Sequence, residues 1–143
     1  MVYADTSVLV SLILEDGNST AATRLVRDFS ESLVWTDFLK LGLVNAIRLR
    51  VAEKRLSEEN AEAGRHLATN LIQNRNWQRW EPDWARVLAR ANGLSAAHAE
   101  KTKARSLDIM HVACAMEIGL RVFWTFDARQ KRLAEEAGML VNP

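Results

Sequence analysis

Only one cysteine and two prolines occur among the 143 residues of the sequence. Cys114 can close no internal disulfide, and with no CxxC pair there is no thiolate zinc site. It sits in the apolar pattern HVACAMEIG and reads as a small buried core thiol. With Pro82 and Pro143 the only prolines, no proline-rich linker divides the chain, and no repeat or low-complexity segment does so either. There is no apolar run of about 18 residues and no basic secretory leader, so the expected location is the cytoplasm, with no membrane as partner. The net charge is only +1, which excludes the broad positive field of many nucleic-acid-binding proteins. Any nucleic-acid binding would have to rest on a local patch.

What is present is the composition of an ordinary folded protein, 48% hydrophobic and 26% charged. A chain of this length can bury a core, and residues 1–143 read as a single domain. VYADTSVLVSLIL opens on a short strand ending at Asp5, and EDGNS is a turn, with Asn18 or Ser19 capping a helix to about Glu31. SLVWT is a second short strand and leads into a helix holding Gly42. The apolar positions Ala61, Leu67, Leu71 and Ile72 predict a long amphipathic helix from Ser57 to Trp80, with SEEN as its capped start. Beyond Pro82, DWARVLARAN predicts a helix closed by Gly93, and RSLDIMHVACAMEIG an apolar helix ended by Gly119. RVFWTFD is a strand, ARQKRLAEEAG a final helix and MLVNP a last strand. Apolar strands alternating with helices predict an α/β fold, a parallel sheet covered on both faces.

Three aspartates stand where an apolar core does not favour them. Asp5 and Asp127 each follow an apolar strand directly, and Asp108 lies within the apolar helix SLDIMHVACAM. Ligands of an open parallel sheet gather at the carboxyl ends of its strands, so the three could converge there. Crowded carboxylates need a neutralising cation. Mg²⁺ or Mn²⁺ suits such oxygen donors and leaves positions open for phosphate oxygens and an activated water. Each residue also has a plainer reading. Asp5 and Asp127 could be helix caps, Asp108 a partner of Arg105, and His111 a packed core histidine. Thr6, Ser7 and Thr125 could cap helices or orient a metal-bound water.

The stretches D-T-S after the first strand, R-S-L-D-I-M-H-V-A, and F-W-T-F-D-A-R resemble the PIN-domain ribonucleases, above all the VapC-type toxins of toxin–antitoxin pairs. The resemblance runs through the whole chain in order. It implies a three-layer α/β/α sandwich with a central parallel sheet and a Mg²⁺- or Mn²⁺-dependent endoribonuclease. It also implies a small antitoxin partner whose C-terminal segment covers the active-site groove, and commonly a homodimer. Asp5, Asp108 and Asp127 fall on three of the family's four acidic positions, with Asp5 and Asp108 as main metal ligands and Thr6 or Ser7, and Thr125, in support.

The family's fourth acid, a glutamate in a pattern like L-E-x-x-N-A, is missing. The matching stretch is Leu41-Gly42-Leu43-Val44-Asn45-Ala46, with Gly42 at the acidic position. A mid-helix glycine costs about 0.5–1 kcal/mol relative to alanine and needs a reason. Three are open: a native variant with a reduced acidic site, a weakened site that still cleaves through three aspartates, or an inactivating change acquired on expression. The last is favoured, because a glycine facing an exposed groove has no evident packing benefit in this helix. An inactive module of the same fold, binding an antitoxin-like partner or RNA without cutting, is the alternative function. Arg48, Arg50, Arg105 and Arg129 are candidates for holding RNA. The tryptophans of NWQRWEPDW could stack on bases or pack helices and partner surfaces.

Overall fold

The structure, a computed structural model, describes residues 1–73 and 77–143. In chain order the elements are β1 (Tyr3–Ala4), α1 (Thr6–Ile13), α2 (Ser19–Asp28), β2 (Leu33–Trp35), α3 (Asp37–Ala52) and α4 (Glu58–Ile72). They continue with β3 (Trp77–Arg79), α5 (Trp84–Thr102), α6 (Ser106–Glu117), β4 (Val122–Trp124), α7 (Ala128–Glu136) and β5 (Leu140–Asn142).

Every strand pair is parallel. β1, β4 and β5 form one ladder and β2 with β3 another, and a parallel bridge between Val2 and Leu33 joins the two. The bridge rests on Val2 N–H donating to Ser32 O and Val34 N–H to Val2 O, each at 3.0 Å. The spatial order is therefore β3-β2-β1-β4-β5, with helices on both faces: an α/β/α sandwich. Since β1 lies at the centre, Tyr3, Ala4, Val34, Phe123 and Trp124 are all buried. Tyr3 stacks on Phe123 with ring centroids 5.5 Å apart. Burying each such large apolar side chain contributes roughly 1.5–3 kcal/mol before ordering costs.

The short strand expected to end at Asp5 is Tyr3–Ala4, and the residues after it, Thr6–Ile13, form a helix because Asp5 turns its side chain onto the amide of Val8 and caps it. Two expectations are corrected. The helix expected over 57–80 ends at Ile72, and Trp77–Arg79 is instead the edge strand β3, its register set by Leu33↔Trp77. Residues 74–76 of that expectation lie outside the described residues. Gly93 does not close α5, which runs on to Thr102 and stops where Lys103 enters the left-handed region at φ 57°. A single glycine costs about 1 kcal/mol, which the long flank packed on α6 outweighs.

Candidate active site

The chain leaves β1 for β2 on one side and returns through β4 on the other, so the switch point of the sheet lies between the carboxyl ends of β1 and β4. Asp5 follows β1 at this point and Thr125 follows β4. Their side chains meet: Thr125 Oγ1 donates to Asp5 Oδ2 at 2.8 Å. Asp5 Oδ1 accepts from Ser7 Oγ at 2.6 Å and from the Val8 amide at 3.1 Å. Ser7 Oγ in turn accepts from Phe126 N–H at 2.8 Å, tying the two strand ends together. Asp5 is fully buried, and burial pushes its carboxyl up to about 6 although the hydroxyls and amides around it favour the ionised form.

Asp127 caps α7, its Oδ1 accepting from the amides of Arg129 at 2.7 Å and Gln130 at 3.2 Å. Burial opposes its ionisation, but those amides and the Arg129 guanidinium win and hold the carboxyl below its usual range. Asp5 and Asp127, with Thr6, Ser7, Asp16, Ala46, Arg50 and Gln130, line one cleft of about 380 Å³.

Asp108 is buried but stands behind that wall. Its Oδ2 accepts from the Arg105 amide at 2.8 Å, its Oδ1 faces Gln130 Nε2 at 3.4 Å, and Arg129 Nε lies 3.5 Å from Oδ2. The partner of Asp108 is thus the backbone of Arg105 and the guanidinium of Arg129, which also reaches Asp127 at 3.3 Å. Arg129 and Gln130 sit between two of the three aspartates. Among the described residues no three acidic, histidine or cysteine side chains are grouped closely enough to hold a metal ion, so the expected convergence on one point is not reached. The plainer capping readings of Asp5 and Asp127 hold geometrically alongside their place on the cleft.

Gly42 has a packing reason that the sequence did not disclose. A Cβ built there would lie 2.3 Å from Thr6 Oγ1, so a bare backbone is what lets α3 approach α1. The absence of a packing benefit was the ground for favouring an inactivating change, and that ground is gone. Thr6 Oγ1 lies 3.4 Å from His111 Nε2, and Tyr3 OH 3.0 Å from Nδ1. His111 is a packed core residue, pushed down to about 4 by burial and thus neutral, with Phe38 tilted over it at 4.5 Å. Cys114 is buried, as its apolar setting implied, and burial lifts its thiol to about 11. Of the aromatic run, Trp77 packs edge-on to Trp35 and Trp84 to Phe38, while Trp80 is 40% exposed.

The profile of the PIN domain family matches residues 2–136. The chain belongs to the PIN-domain family. No curated protein sequence matches it significantly. Among solved structures, this PIN domain is similar to the VapC20 toxin of Mycobacterium tuberculosis, which cleaves the sarcin–ricin loop: 16% identity, 98% of this chain and 97% of that one, TM-score 0.71. It is similar to VapBC2 of Rickettsia felis, solved on a DNA fragment from its promoter, at 12% identity over 99% and 98% of the chains, TM-score 0.65. A third is FitAcB of Neisseria gonorrhoeae, at 16% identity over 100% and 97%, TM-score 0.64. At such identities these likenesses establish the fold, and the chemistry of this PIN domain has to be argued from its own cleft.

Proposed function

We propose that the chain is a divalent-metal-dependent endoribonuclease of the VapC type, the toxin of a toxin–antitoxin pair, which hydrolyses RNA phosphodiester bonds. The observation that carries this reading is the pairing of Asp5 and Asp127 on one cleft at the switch point of the sheet. Membership of the PIN family and likeness to toxin folds support it. An antitoxin as protein partner, RNA as substrate, homodimer formation and a cytoplasmic location belong to the same reading.

The donors suit a hard cation. The cleft offers carboxylate and hydroxyl oxygens, and Mg²⁺ commonly takes one or two carboxylates from a protein and fills its shell with water and phosphate oxygens. The buried Gln130 Oε1 on the same wall has no hydrogen-bond partner among the described residues, which leaves an oxygen suited to a cation or its water. Asp5 and Asp127 would hold Mg²⁺ or Mn²⁺, and Asp108 would join once Gln130 released it. When bound, the ion supplies a lowered water pKa and neutralises charge on the phosphate. The chain's part is to keep Asp5 in place: Ser7 and Thr125 fix both its oxygens, and α1 and α7 start at the cleft.

The test is cleavage of a mixed RNA pool by the purified chain with Mg²⁺, with EDTA, and by Asp5→Asn. Metal-dependent products that vanish in Asp5→Asn are expected. Cleavage unaffected by Asp5→Asn would refute the site. The second reading, a PIN module that binds but does not cut, is favoured by the missing acid at Gly42, and a chain that binds RNA yet never cleaves it would decide for that one.

A further inference from the structure

The walls of the cleft pose an electrostatic problem. Asp5, Asp16 and Asp127 all line it, and an RNA backbone brought between them is itself anionic. One basic side chain is on the wall among the described residues, that of Arg50. We propose that Arg50 is the phosphate-binding residue of this cleft, gripping a non-bridging oxygen pair of the RNA backbone beside the acidic pair. This rests on the ribonuclease reading and names the group that holds its substrate.

Its placement follows from α3. Residues 42, 46 and 50 are spaced by four and share one face of the helix. Gly42 lies against Thr6, and Ala46 and Arg50 line the cleft. Small residues at 42 and 46 let α3 close on α1, and the first long side chain on that stripe is a cation. The face on which relatives would carry an acid therefore delivers a guanidinium to the same cleft, two turns on.

The charge of Arg50 is also uncommitted. It makes no ion pair among the described residues, whereas Arg129 is shared between Asp127 and Asp108, Arg65 is held by Glu58 and Glu62, and Arg86 and Arg90 by Glu117. Arg48 faces a separate hollow with Val51, Glu58 and Arg65. Arg105 contributes its backbone amide to Asp108 and is absent from the cleft wall. Of the four arginines eligible from the sequence, Arg50 is the one that lines the wall and makes no ion pair among the described residues. A planar guanidinium with five donors matches two phosphate oxygens at once, which a lysine cannot do.

The experiment measures binding of a fluorescein-labelled single-stranded RNA in EDTA, where the metal-dependent reaction is off, across a salt series. Arg50→Gln should weaken binding about tenfold, as for a lost charged hydrogen-bond pair, and flatten the log–log salt slope by about 0.7, one phosphate contact on a single strand. Arg50→Lys should keep the slope but lose affinity several-fold. Arg48→Gln, one face away, should stay within about twofold. Equal affinity and slope for Arg50→Gln and wild type would overturn the proposal while leaving the nuclease reading intact. So would the same loss in Arg48→Gln. A wild-type chain that neither binds nor cleaves RNA would overturn both. Among the described residues the Arg50 side chain makes no hydrogen bond, so the variant should melt with wild type; if it does not, Arg50→Lys carries the comparison.

Discussion

Two buried residues of the PIN core titrate against each other. Asp5 ionises at about 6 in the fold against 3.8 free, so the folded state binds the extra proton and stability falls as pH rises from about 4 to about 6. His111 is pushed from 6.5 to about 4, so the unfolded state binds the extra proton and stability rises over nearly the same window. Each amounts to about 3 kcal/mol at most, with opposite sign, and the wild type should be nearly flat in their sum. Melts of His111→Gln should therefore lose stability as pH rises from 4 to 6, and melts of Asp5→Asn should gain it. Parallel pH curves for both variants and wild type would refute the assignment. A cation at Asp5 favours its ionised form, so millimolar Mg²⁺ should raise the melting temperature of wild type at pH 7 and leave Asp5→Asn unmoved. Asp5 and Asp127 were legible in the sequence as acids directly following apolar strands, and Asp108 as an acid within an apolar helix. Their division into a wall pair and a recessed Asp108 was not, because Arg129 and Gln130 come between them only once α6 and α7 pack together.

At the scale of single elements, the α1–α3 contact separates local propensity from tertiary demand. Gly42→Ala gains up to about 1 kcal/mol of helix propensity but drives a methyl into Thr6 Oγ1, and such overpacking costs about 1–3 kcal/mol. The single variant should be destabilised. In a Thr6→Ala background, with the hydroxyl gone, the same change should stabilise by about 0.5–1 kcal/mol. Denaturant melts of the four proteins measure this coupling, and additive effects would sink the close-packing account. Elements with one consistent signal, such as α6, β4 and α7, could be read from the chain. α1 could not, because VLVSLIL is as β-branched as a buried strand and only the cap from Asp5 makes it helical. β3 was hidden because the helical period of Ala61, Leu67, Leu71 and Ile72 was continued to Trp80, and its pairing with β2 is a matter of distant register.

For the molecule as a whole, the alternation of apolar strands and helices was enough to give the parallel sandwich, since each buried strand needs helices over both faces. It could not give the order of the strands. That order makes β1 central, and the amides of Val34 and Asp5, donating to Val2 and Trp124, sit in the middle of the sheet. They should exchange with deuterium only through global unfolding, while the Trp80 amide at the β3 edge exchanges by local opening. An Asp5 amide as labile as that of Trp80 would contradict the sheet order.

The pairing of β1 with β4 also has a consequence in time. The Thr125–Asp5 hydrogen bond spans 120 positions, so β1 can meet β2 early in synthesis but cannot pair with β4 until residue 124 has emerged. Closing so long a loop is slow and entropically costly. A cleft that needs both halves of the chain is a built-in delay on assembly: none of its chemistry can be in place on a growing chain before the second strand end has joined the first.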